Sequence, residues 1–457
     1  MQVTVWKELR AGESLTVGFP AAASLLLFAG LPVGDNRAVS FPRHHRPAPT
    51  ARLHRFLPVK PILLDYGSAD PLVLEPSDAD VAFDARGPAG VGREAGLALA
   101  AAAIDTPTLG PALASHVVPG DRVTLACCSP LPFAEGLLAM LRDRLATAGV
   151  SAADIAVLHA PPWLGSPPGG GVPAGGSVFD PLAPAESAFL GPDAEGQPMH
   201  VARLLVDADV VVAIGTQTWD AALGGASLDA DLWPAFATAS ARADILRRLA
   251  RSGRRTTAAL RERSREIGWQ LGVIANLRVV PGRGESIHAV EFGMPHAAGR
   301  AARGHAEGWR PRLPGSARLS ITSLAAPQVG LAALVRAVAA AASTTHPEGT
   351  ICIASRFATP PGPVFQRWRQ GVALVPLVQE ALASGDETLI ADAVTTRFFA
   401  KALGDRRLVL LSELDQGIVE DLEFGYAANP EAVERLAHRA ESLVVLHEGE
   451  RMYPRRA

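Results

Sequence analysis

The chain has 457 residues, of which 48% are hydrophobic and 19% charged, with a formal net charge of −3. That length exceeds one ordinary core and suits two domains, and the hydrophobic content excludes wholesale disorder. A charge so close to balance gives no global field to draw the protein to nucleic acid or anionic lipid.

Residues 1–56 read as an appendage. Val3 and Val5 alternate as in a strand, Gly12 and the apolar segment at 15–19 suggest a hairpin, and Pro42, Pro47 and Pro49 mark 41–50 as a linker. The apolar stretch at 21–33 is shorter than the roughly 20 residues a spanning helix needs. Gly30 and Pro32 interrupt it, and it lacks a basic start followed by a small-residue cleavage site. A cytoplasmic protein, without a membrane partner, is expected.

From Pro61 the pattern becomes regular. Residues 62–67 and 72–74 form two short strands about a turn at 67–70. Pro119-Gly120-Asp121 turns the chain into a compact apolar strand, Arg122 to Cys127, and Leu137, Leu138, Leu141 and Leu145 then recur with helical spacing. With the next strand at 155–158 this makes a strand–helix–strand unit of a parallel sheet. The segment 160–184, with Gly169-Gly170-Gly171 and Gly175-Gly176, is either a flap over a site or plain surface. Residues 210–214 are wholly apolar, as suits a strand covered on both faces. The helix at 245–270 is rich in arginine and is expected to break at Gly253; with no aromatic residues interleaved, it reads as a solvated face.

A second α/β series begins near Val279. Strands are expected at 317–322, 350–354, 408–411 and 443–446, and helices at 331–342, 364–382, 389–403 and 430–438. The fold class is therefore α/β: two mainly parallel-sheet domains, 57–278 and 279–457, enclosing a cleft, after a small β appendage at 1–56.

Ligands of open α/β sheets bind beyond the C-terminal ends of the strands. Three loops qualify: 128–133, 215–227 and 355–363. In the second, Gly224 and Gly225 would let backbone N–H groups approach an anion, although no Gly-Lys-Ser/Thr follows. The ligand-binding candidates are Ser129, Thr216, Gln217, Gly224, Gly225 and Ser227; ordinary turn roles remain the alternative. The 12 histidines are scattered without zinc-like spacing. Cys127, Cys128 and Cys352 make no disulfide framework and read as small buried hydrophobes.

The order of segments resembles the nickel-dependent lactate racemase family over roughly 61–456. The run ILLDYGSADPLVLEP at 62–76 looks like that family's opening hairpin, and VPGDRVTLACCSPLPFAEGLL at 118–138 like its first strand, loop and helix. Residues 196–234 are similar to the strand and loop that seat its cofactor, 272–299 to the domain crossover, and 406–449 to the C-terminal end. The resemblance implies two α/β domains around a cleft, in which a nickel-pincer nucleotide tethered to a lysine shuttles a hydride.

Departures from the family pattern fall on its functional positions. Where the family reads Ser-Asp-x-Thr-Arg-Pro, this chain has Cys128-Ser129-Pro130-Leu131-Pro132. Where the family places a catalytic histidine, the run is Pro161-Pro162-Trp163-Leu164, and His159 comes too early. Trp219-Asp220 stands in place of Pro-His, Gly224 survives, and Ala230 occupies the place of the tethering lysine. No lysine lies between Lys60 and Lys401. Val335 and Val338 occupy the places of a substrate-facing Gln and Lys, with Arg336 between them.

Without a tether, a nickel-binding set or acid–base groups, the family's reaction has no support. Neither a cofactor nor a metal is expected, and the first reading is a relative that binds a small molecule, such as a carboxylate, or a protein partner in the cleft. The alternative is a racemase- or epimerase-type isomerase of a small hydroxy acid with a rebuilt site. Asp220 would be its base and Arg336 or Arg356 its carboxylate clamp. Asp220 as a plain turn or cap residue stays open beside it. Nucleic-acid binding is the least favoured reading.

Overall fold

Two six-stranded sheets organise the protein, described by a computed structural model over residues 61–456 apart from 77–81, 162–163, 165–174, 193–195, 314 and 325–329. The expected strands of the 1–56 appendage, Lys60 and residues 162–163 and 165–174 of the 160–184 loop lie outside the described residues. Those described belong to one compact unit, Pro58–Ala457.

The first sheet runs, edge to edge, Ile287–Gly293, Val273–Pro281, Val210–Thr216, Val123–Cys127, Ile155–His159 and Ser177–Val178. All neighbours are parallel except the first pair, a hairpin. The strand at 210–216 is buried along its whole length because its residues feed two cores. Val210, Val212 and Ile214 pack with Leu125, Leu138 and Leu141, while Val211 and Ala213 pack with Phe179 and Phe236. Cys127 and Cys128 fall into these two opposite cores, and burial pushes the Cys127 thiol up to about 12.

The second sheet, parallel throughout, runs Gly425–Tyr426, Arg407–Leu411, Thr345–Ala354, Ala317–Ser323, Leu443–Leu446 and Ala82–Ala85. One face carries the helix Leu331–Ala342; the other is covered by the helix Pro430–His438 and the hairpin Ile62–Leu64/Leu72–Leu74.

Three expectations need correcting. A division at 278/279 cuts through the strand Val273–Pro281, which stays with the first sheet together with its hairpin partner. Conversely, the hairpin at 62–74 packs on the second sheet, with Ile62, Leu64, Leu72 and Leu74 buried against Leu319, Ile321 and Val445, and Ala82–Ala85 is that sheet's edge strand. Local periodicity shows that a strand has an apolar face but not which sheet it will cover. The arginine-rich helix does not break at Gly253 but continues from Ala239 to Gln270. A helical glycine costs about 1 kcal/mol, less than is gained by keeping Leu246, Leu249, Leu260 and Ile267 on one buried stripe. The helix expected over 364–382 is two, Pro363–Arg369 and Leu374–Ala383, parted at Gly371, whose φ of 91° only glycine adopts without strain.

The lobes are joined by more than the chain. The long helix packs Ala243, Leu246 and Leu249 with Ile390, Ala391 and Val394 of the helix Glu387–Leu403. Arg242 pairs with Glu387 at 2.8 Å, and Arg247 donates to the carbonyls of Leu382 and Ser384 at 2.8 and 3.0 Å. Among the described residues, no helix is long and apolar enough to cross a membrane.

Candidate functional site

The segment following the strand Val210–Thr216 makes the first lobe's wall of an interlobe cleft. Gly215 is required there: a Cβ would come 2.6 Å from both the Ala230 Cα and the Asp229 carbonyl oxygen, so the returning chain lies directly on the strand. Between these two points the chain forms a tight ladder, Trp219–Asp220 against Gly225–Ala226, closed through Gly224 at φ 73°. The Asp220 carbonyl accepts from the Gly224 N–H at 2.9 Å, and its Oδ1 accepts from the Leu223 N–H at 2.8 Å. The turn role foreseen for Asp220 is therefore real, and it occupies one carboxylate oxygen.

Across from it, the helix Leu331–Ala342 presents Ala332, Val335 and Arg336, and the helix Glu387–Leu403 presents Thr395 and Phe398. With Leu164, Asp220, Ala222, Leu223, Leu228 and Asp229 they line a small cleft of about 60 Å³, open in part to solvent. Arg336 Nη1 lies 3.4 Å from Asp229 Oδ2. Burial raises the Asp220 pKa above the ordinary carboxylate value, against the pull of Arg336 and the Leu223 N–H. Burial also works against the Arg336 charge, but Asp229, Asp220 and Glu450 outweigh it and raise its pKa.

The sequence candidates divide. Asp220 and Arg336 line the same cleft. Arg356 does not: it is exposed and ion-paired with Glu413. Ser129 is not among the lining residues either. Its hydroxyl is 3.0 Å from both Thr216 Oγ1 and the Thr216 N–H, which staples the loop after Val123–Cys127 to the neighbouring strand end. Gln217 is buried, with its N–H on the Val279 carbonyl. Ser227 shares the Thr218 hydroxyl at 2.7 Å, and the same hydroxyl reaches Asp229 Oδ2 at 3.0 Å. Thr218 and Ser227 thus set the Asp229 carboxylate in place. Gly225 faces Arg261, whose guanidinium donates to the Ala226 carbonyl. Asp229, Leu164, Thr395 and Phe398 were not singled out in the sequence. Asp229 could have been, as an acid in the segment that follows the apolar strand; the others come from distant elements with no local signal.

Other arginines of the long helix pair within the helix itself: Arg248 with Asp244 at 3.4 Å, both exposed, and Arg263 with Glu266 at 3.8 Å. His159 closes its strand with Nε2 buried and without a hydrogen-bond partner among the described residues, and burial and Arg142 lower its pKa.

No lysine is among the described residues that line the cleft. Ala230 is buried on Gly215, and Lys401 is exposed and outside the cleft lining. No group of three or more His, Cys, Asp or Glu side chains able to hold a metal ion occurs among the described residues.

The architecture is that of a two-lobed α/β protein with its cleft at the strand ends of the first sheet. Neither a protein-family model nor a curated protein matches the sequence. Solved structures do. The lactate racemase apoprotein from Thermoanaerobacterium thermosaccharolyticum aligns with 87% of this chain and 100% of its own, with TM-score 0.63 and 16% identity. A Thermotoga maritima protein aligns with 75% of this chain and 94% of its own, with TM-score 0.53 and 12% identity. At such identities the likeness is one of fold, and in fold this chain is lactate racemase-like.

Proposed function

We propose that the protein binds a small organic acid in the interlobe cleft, as a divergent relative of the lactate racemases without nickel-pincer chemistry. The observation that carries this reading is Arg336 on one cleft wall, facing Asp220 and Asp229 on the other, with Leu164, Leu223, Leu228 and Phe398 around them. A guanidinium in a partly desolvated site grips a carboxylate more strongly than one in water. Ala230 at the place of the lysine, packed on Gly215, supports the absence of a tether.

Calorimetric titration with small carboxylates tests the reading. The wild-type protein should bind a member of the set, and Arg336→Gln should weaken that binding at least about tenfold. Equal affinities for the two proteins would refute it. One observation favours a second reading, an isomerase: the raised pKa of Asp220 suits a general base working near neutral pH. Solvent deuterium appearing at the α-carbon of a bound acid, and lost in Asp220→Asn, would select it.

A further inference from the structure

Arg336 is one guanidinium among three carboxylates. Asp229 stands at 3.4 Å, and the charges of Asp220 and Glu450 are both felt at Arg336. The cleft wall is therefore richer in acid than in base, so a carboxylate held by Arg336 alone leaves the second acid unbalanced. A ligand that carries a cation beside its carboxylate reverses this balance. Asp220 and Asp229 are both lining residues, and the turn meets the Asp220 carboxylate through the backbone N–H groups of Leu223 and Ala222 without neutralising its charge. The rest of the wall, Leu164, Leu223, Leu228, Val335 and Phe398, offers an apolar surface a few atoms wide.

Resting on the binding reading above, we infer that the ligand is a zwitterion of the α-amino acid type with an apolar side chain. Its carboxylate meets Arg336, its ammonium meets Asp220 and Asp229, and its side chain lies against the leucines and Phe398. Both charged ends are satisfied at once, so neither half of the molecule is enough alone.

Three matched probes separate the contributions: leucine, its deaminated form 4-methylpentanoate, and its decarboxylated form 3-methylbutylamine. Titrated calorimetrically into the full-length protein, leucine should bind at least about tenfold more tightly than either fragment. Arg336→Gln should bring leucine down to the amine, and Asp220→Asn should bring it down to the carboxylate. Asp229→Asn serves the same purpose if Asp220→Asn does not fold. A carboxylate that binds wild type as tightly as leucine would overturn the zwitterion while leaving the acid-binding reading intact. Failure of both leucine and 4-methylpentanoate to bind, with a broader acid panel also silent, would overturn both.

Discussion

The lobes meet through charged groups at several places, and two of these are built differently. At one, Glu448 and Arg451 of the second lobe clasp the turn between the first sheet's hairpin strands. Glu448 Oε1 accepts from the Gly284 N–H at 2.7 Å, and Arg451 Nη1 reaches Glu448 Oε2 at 2.7 Å and the Gly282 carbonyl at 3.0 Å. At the other, Arg336 makes one long contact with Asp229, and space remains beside it. The clasp uses its charges to close the lobes; the cleft keeps its charges for something else. Charge across an interlobe seam is thus not itself a sign of a site. Charge with room and with incomplete pairing is.

The largest difference should appear on truncating the two arginines. Arg451→Ala leaves Glu448 buried without its cation and should cost about 3 kcal/mol in urea unfolding. Arg336→Gln should cost less in stability, because Asp229 is partly exposed and keeps its hydrogen bond from Thr218, while weakening ligand binding at least about tenfold. Similar stability losses would erase the distinction between clasp and cleft.

The clasp also sets a pH dependence. Burial, only partly offset by Arg451, raises the Glu448 pKa from 4.5 to about 7. A carboxyl that holds its proton more tightly when folded contributes stability below its unfolded pKa. That contribution is lost as pH rises from about 4.5 to about 7, by an amount of order 2–3 kcal/mol. Glu448→Gln should flatten the profile across that window. A wild-type profile already flat there would contradict the account of the clasp.

The smallest effect belongs to Arg356, which the sequence offered as an equal of Arg336. Its pair with Glu413 is exposed on both sides, so Arg356→Ala should change stability by less than about 0.5 kcal/mol and leave binding unchanged. A lost affinity in this variant would extend the site into the 355–363 loop.

Much of the fold was legible because its signals are local. The helices Leu331–Ala342 and Pro430–His438 and the strand Leu443–Leu446 fall where apolar spacing put them. Lobe membership was not legible: the apolar faces of 62–74 and 273–281 are equally suited to either sheet. In the site, the segment 215–227 was found from its glycines and the apolar strand before it. Which of its side chains look into the cleft was not, since the Thr216 and Ser227 hydroxyls bond to Ser129 and Thr218 and the buried Gln217 amide donates to the Thr218 carbonyl. Arg336 and Arg356 look alike in sequence; only the covering lobe separates them.

The claim on which the rest depends is that this cleft works without a covalently held nickel cofactor. Intact mass spectrometry of the natively purified protein, paired with its nickel content, addresses it directly. The account predicts the mass of the unmodified chain and nickel far below stoichiometric. A nucleotide-sized adduct accompanied by one nickel per chain would contradict it.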